Sequence, residues 1–116
     1  MDKVSKYLFD ISNSISLIED FLVGIADFQA YQKDVKTQNA VERQLAIIGE
    51  VVNKLGQETT EITLIHARQI VNFRNRIIHS YDNIDISIVW VIVKNHLPVL
   101  KQEIMGYIDN LGIVKK

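Results

Sequence analysis

Seven apolar residues near the start of the chain, Val4, Leu8, Ile11, Ile15, Ile18, Leu22 and Ile25, follow one another at alternating steps of four and three. A helix turning about 100° per residue stacks such positions into one stripe, whereas a strand would send successive residues to opposite sides. The stripe is a seam, and a seam needs other helices to cover it. The rest of the chain supplies them. Gly24 is expected to break the first helix, with Asp27 capping a short one through Phe28 and Tyr31. A second long helix is predicted from Thr37 to Leu55, with Val41, Leu45, Ile48, Val52 and Leu55 on one face. Asn39 and Glu42 have the spacing of a capping box near its start, and Gly56 is placed to stop it. Leu64, Ala67, Val71 and Ile78 mark a third helix, which the polar run Tyr81-Asp82-Asn83 breaks, and Asp85 caps a fourth.

That fourth segment begins Ile86-Ser87-Ile88-Val89-Trp90-Val91-Ile92-Val93, and its β-branched residues taken locally favour a strand. The local signal is overruled. No other segment offers a strand to pair with, and Leu97, Leu100, Ile104, Ile108 and Leu111 continue at helical spacing. As a helix it is apolar nearly all round, which asks for cover from the core and from a second subunit. Pro98 is expected to kink or restart it. The reading is all-α: one domain over residues 1–116, an up-and-down bundle of four to five helices.

The 116 residues carry 13 basic and 14 acidic side chains, so a broad basic face that coats nucleic acid is not expected, and binding is limited to a local patch. Without cysteine there is neither a disulfide framework nor a thiolate zinc site, and a reducing cytoplasm is the natural compartment. Met1-Asp2-Lys3-Val4 lacks the basic-then-apolar order of a signal peptide. The apolar run from Ile86 is far shorter than the roughly 20 residues that span a bilayer, so a soluble protein with no membrane partner is expected.

Chemistry concentrates in Arg74-Asn75-Arg76-Ile77-Ile78-His79-Ser80-Tyr81. An arginine offers a rigid fork of donors suited to phosphate oxygens, a histidine exchanges protons near neutral pH, and a tyrosine carries a nucleophilic oxygen. On one straight helix His79 stands about 140° round from Arg74, with Tyr81 almost directly over Arg74, so one helix cannot aim all three at a single phosphate. Either the helix ends near Ile78 and releases His79 and Tyr81 into a loop, or the site is completed across a subunit interface.

Arg74, then four residues, His79, any residue, and Tyr81 is the pattern of HEPN-domain proteins of the HepT type, which this sequence resembles over nearly all its length. Ala46-Ile47-Ile48-Gly49-Glu50 is similar to that family's Ile-Ile-Gly-Glu stretch, and Asp82-Asn83-Ile84-Asp85 resembles the tail after its tyrosine. The segment Ile62 to Arg68 departs from it, lacking the Pro and Trp common there in relatives. The resemblance implies a metal-independent ribonuclease toxin that acts as a homodimer in the cytoplasm, without a cofactor. Arg74 and His79 would be catalytic, with Asn75 and Arg76 supporting RNA binding. It also implies a nucleotidyltransferase antitoxin that silences the toxin by transferring AMP to Tyr81. The alternative is a non-catalytic helical dimer that positions or regulates such a transferase.

The residues fit the first reading. RNA carries its own nucleophile in the 2′-hydroxyl, so cleavage needs a base, an acid and a clamp for the phosphoryl charge. Asp82 and Asp85 read as turn and cap rather than metal ligands, so cleavage is expected to survive a chelator. His66 and His96 have no partner at ligand spacing and are expected to be surface or capping residues. Gly49 is expected at a close helix contact, Glu50 beside Lys54, and Trp90 in the core or an interface.

Overall fold

An aspartate side chain heads four of the helices. The computed structural model describes residues 2–80 and 84–111, and of residues 78–80 the backbone alone. Within them lie α1 (Lys3–Phe21), α2 (Phe28–Gln32), α3 (Val35–Glu58), α4 (Ala67–Ser80), α5 (Ile86–Val91), a π-helical turn (Ile92–His96) and α6 (Leu97–Asn110). Asp2 accepts the Ser5 N–H at 2.8 Å, Asp27 that of Ala30 at 2.9 Å, Asp34 that of Thr37 at 3.0 Å and Asp85 that of Ser87 at 2.9 Å. Each carboxylate satisfies a backbone donor that the helix itself leaves unpaired. The Ser87 hydroxyl and N–H hold the Asp85 carboxyl below the usual carboxylate range.

Asp34 also explains why α3 starts two residues earlier than its apolar periodicity suggested. With the N-terminus capped there, Asn39 and Glu42 lie inside the helix and form no capping box. Gly56 does not stop it either: α3 runs to Glu58, and Thr59, in extended conformation, closes it by donating to the Leu55 carbonyl. Gly24, by contrast, is a true break, with φ at +85°, and α2 starts after Asp27 as expected.

Leu8, Ile11, Ile15 and Ile18 of the α1 seam are buried against α3 on one side and α6 on the other. Lys101 on α6 pairs with Glu19 on α1 at 2.8 Å across the rim of that contact. α4 also packs on α3, so α3 contacts both α1 and α4. The short α2 joins α3 to α5, where Trp90 meets Tyr31 at 5.2 Å and Phe28 at 6.1 Å between ring centres. Tyr31 is buried, which pushes its hydroxyl well above the usual range.

The β-branched segment is helical, and α5, the π-helical turn and α6 follow one another without a gap. The widened turn precedes Pro98, whose missing N–H leaves the Lys94 carbonyl without its usual partner, and the Leu97 N–H reaches five residues back to Ile92. Val89, Ile92 and Val93 enter the core while Val91 is 46% exposed. Among the described residues no helix is long and apolar enough to cross a membrane.

Candidate active site

The helix that carries the arginine is fixed at both its flank and its entry. At the flank, α4 approaches α3 at Gly49, where a Cβ would run into the Cβ of Arg74 and lie 3.0 Å from the Ile70 carbonyl oxygen. Close packing at Gly49 is therefore observed, and its neighbour is the motif arginine. At the entry, Tyr107 on α6 accepts the Thr63 N–H at 3.1 Å and donates to the Thr63 carbonyl at 3.2 Å. Glu103 accepts the Ile65 N–H at 3.0 Å.

His66 completes that fastening by stacking on His96, with ring centres 4.2 Å apart and planes 22° from parallel. Both Nδ1 atoms are buried without a hydrogen-bond partner. The two histidines are thus a pair, where two unconnected surface or capping residues are expected from the sequence; His96 does take the N-cap position of α6, without a capping hydrogen bond from its side chain. They are 30 positions apart in sequence, and the π-helical turn that presents His96 has no period a sequence pattern would reveal. Burial, and next the adjacent His66 ring, lower the pKa of His96.

Arg74 is half-buried, and the three nitrogens of its guanidinium have different surroundings. Nη1 donates to the Asn75 side-chain oxygen at 2.9 Å, Nη2 lies 3.8 Å from Glu50 Oε2, and Nε is buried without a partner. The expected Glu50–Lys54 pair exists at 3.7 Å, so Glu50 stands between two cations. Its contact with Arg74 joins α3 to α4 and was not foreseen.

Arg76 is turned away from this arrangement. It lines a groove of about 400 Å³ between α4 and α5 together with Gln69, Asn72, Phe73, Ser87 and His96. Arg74 and Arg76 therefore serve different sides of one helix, as two residues at about 200° must. The backbone remains helical through His79 to Ser80, two residues past Ile78, so His79 is not released into a loop. Ile70, Phe73 and Ile77 carry the apolar seam past the arginines and keep the helix on the core. Of the two arrangements considered above, the release of His79 into a loop is removed. His79 occupies a helical position about 140° from Arg74, its side chain outside the described atoms. Tyr81, with the reading that makes it a control point, lies outside the described residues, as does the turn assigned to Asp82. Among the described residues no three histidine, aspartate or glutamate side chains gather as a metal site.

The family model described as ribonuclease HepT-like matches residues 11–106. The chain belongs to this family. It is 38% identical over 96 residues to the probable ribonuclease HepT of Thermococcus cleftensis, covering 82% of this chain and 86% of that one. It is 33% identical over 109 residues to a Methanocaldococcus jannaschii protein with an RNase name, covering 93% and 89%. A Caldanaerobacter subterraneus protein, also with an RNase name, is 28% identical over 99 residues, covering 84% and 88%. No solved structure gave a significant match. The match includes the whole of α3 and α4, so the Gly49–Arg74 contact and the arginine–histidine spacing of this HepT-like chain lie inside it.

Proposed function

We propose that this chain is a metal-independent endoribonuclease, the toxin of a toxin–antitoxin pair, working as a homodimer with Arg74 and His79 at the scissile phosphate. The observation that carries the reading is the Arg74 guanidinium, held by Asn75 and Glu50 at the surface of α4 in a chain of the ribonuclease HepT-like family. A fixed guanidinium suits the charge that develops on phosphoryl oxygens.

In the proposed reaction a base removes the 2′-hydroxyl proton, O2′ attacks phosphorus, the bond from phosphorus to O5′ breaks, and an acid protonates O5′. The products are a 2′,3′-cyclic phosphate and a 5′-hydroxyl. His79 carries one of these protons. The helical path from Arg74 to His79 favours a cleft built from two chains, with the arginine of one subunit serving the histidine of the other. Arg76, exposed on the groove side of α4, and Asn75 support RNA binding. Tyr81 is the control point: AMP placed there by a partner nucleotidyltransferase adds an anionic phosphodiester that competes with RNA for the arginines.

The test is RNA cleavage by the purified chain freed of partners, with and without a chelator. The wild type is expected to cut in both conditions, and His79→Ala is expected to lose both cleavage and any growth arrest on expression. An inert wild type would overturn the nuclease reading and favour a dimer that positions a transferase.

A further inference from the structure

Resting on the ribonuclease reading above, we propose that Glu50 is a positioning residue that fixes the Arg74 guanidinium for the scissile phosphate from the neighbouring helix. An arginine side chain has several rotatable bonds, and a phosphate clamp works only if its fork is aimed before the substrate arrives. Two features of α3 restrict this one. Gly49 lets the root of the side chain seat against the α3 backbone, since any Cβ there would meet Arg74 Cβ and come within 3.1 Å of its Cγ. One residue on, Glu50 faces the tip, with Oε2 3.8 Å from Nη2.

The remaining donors show what the arrangement leaves available. Nε is buried and has no partner, and one Nη1 hydrogen is taken by Asn75. A guanidinium has five N–H groups, so each terminal nitrogen retains a hydrogen for an incoming phosphoryl oxygen. At 3.8 Å the Glu50 contact is an ion pair longer than a direct hydrogen bond, so it directs the fork without occupying all its donors. Lys54, 3.7 Å from the other Glu50 oxygen, holds the carboxylate in turn.

A carboxylate this close to the clamp also repels the substrate, and that separates positioning from simple electrostatics. Removing its charge strengthens attraction for RNA, so a purely electrostatic role predicts a lower KM with kcat kept or raised. Positioning predicts the opposite for turnover: kcat falls because the fork is no longer aimed, while KM stays level or drops.

The experiment is steady-state cleavage by full-length Glu50→Gln and Glu50→Asp, with ¹⁵N relaxation of the Arg74 side chain, assigned by its loss in Arg74→Lys. Glu50→Gln is expected to lower kcat roughly tenfold without raising KM and to lower the order parameter of the Arg74 Nε–H, with Glu50→Asp recovering part of both. Glu50 is half-exposed, so the melting temperature is expected to hold. An unchanged or higher kcat in Glu50→Gln, or an equally ordered Arg74 Nε–H, would overturn the positioning role while leaving the nuclease intact. A wild type without cleavage would instead remove the ribonuclease reading and this inference with it.

Discussion

Gly49 on α3 and Arg74 on α4 share the point where the two helices come closest, and the missing side chain of one makes room for the root of the other. Neither atom facing Gly49 can move aside without α4 itself, because the Arg74 Cβ is bonded directly to the α4 backbone and the Ile70 carbonyl oxygen is part of it.

Gly49→Ala is therefore expected to destabilise the protein, despite the better helix propensity of alanine. Overpacking of a close contact costs about 1–3 kcal/mol, against about 0.5–1 kcal/mol returned by replacing a helical glycine. Gly56 on the same helix is the control: nothing stands within 4 Å of a Cβ there, so Gly56→Ala is expected to stabilise by up to about 1 kcal/mol. Denaturant unfolding of the two variants checks both signs, and Gly49→Ala should also lose cleavage because it displaces Arg74.

The seat of His96 against His66 makes stability depend on pH. Burial and the facing His66 hold His96 below its ordinary pKa of 6.5, so the unfolded chain takes up this proton at higher pH than the folded one. Stability contributed here is intact above the ordinary value and falls as pH drops through it towards the folded value. His96→Phe keeps a stacking ring but cannot titrate, so its melting temperature should fall less than that of the wild type between about pH 7 and pH 5. Identical slopes would show that folding does not lower the pKa of His96.

Much of this fold is legible in the sequence. The α1 seam from Val4 to Ile18, the break at Gly24 and the aspartate caps at Asp27 and Asp85 are local signals, because spacing, φ preference and capping chemistry act within a few residues; Leu22 and Ile25 keep the spacing but lie past the last helical residue, Phe21. The start of α3 does not follow from its periodicity because Asp34 precedes the first apolar position of the seam, and Gly56 does not end the helix because a glycine with open space around it can remain helical. The Glu50–Arg74 and His66–His96 pairs were not legible at all. Each joins two helical segments whose relative rotation is set by packing, and no single-chain periodicity encodes that.

Asp85 links the cap of α5 to the groove that holds Arg76. It accepts from both the N–H and the hydroxyl of Ser87, at 2.9 and 2.6 Å, and the Arg76 charge adds to the lowering of its pKa. Asp85→Ala is expected to lower the denaturant midpoint, as loss of a helix cap does. Asp85→Asn, which keeps an acceptor, should lower it less.

Tyr81→Phe tests control separately from catalysis. The variant retains Arg74 and His79 and is expected to keep cleaving RNA, yet to resist silencing when the partner transferase and ATP are supplied. Mass measurement should find AMP on the wild type and none on the variant, and full silencing of Tyr81→Phe would remove the tyrosine from the mechanism.

The helical course of α4 places Arg74 and His79 about 140° apart, and the proposed cleft takes its arginine from one chain and its histidine from the other. Cleavage by subunits mixed from two inactive variants, Arg74→Ala and His79→Ala, measures this directly. Each mixed dimer would hold one site with both groups intact, so an equal, randomly exchanged mixture is expected to regain about a quarter of wild-type activity. Mixed dimers verified by mass that stay as inactive as the parents would contradict it.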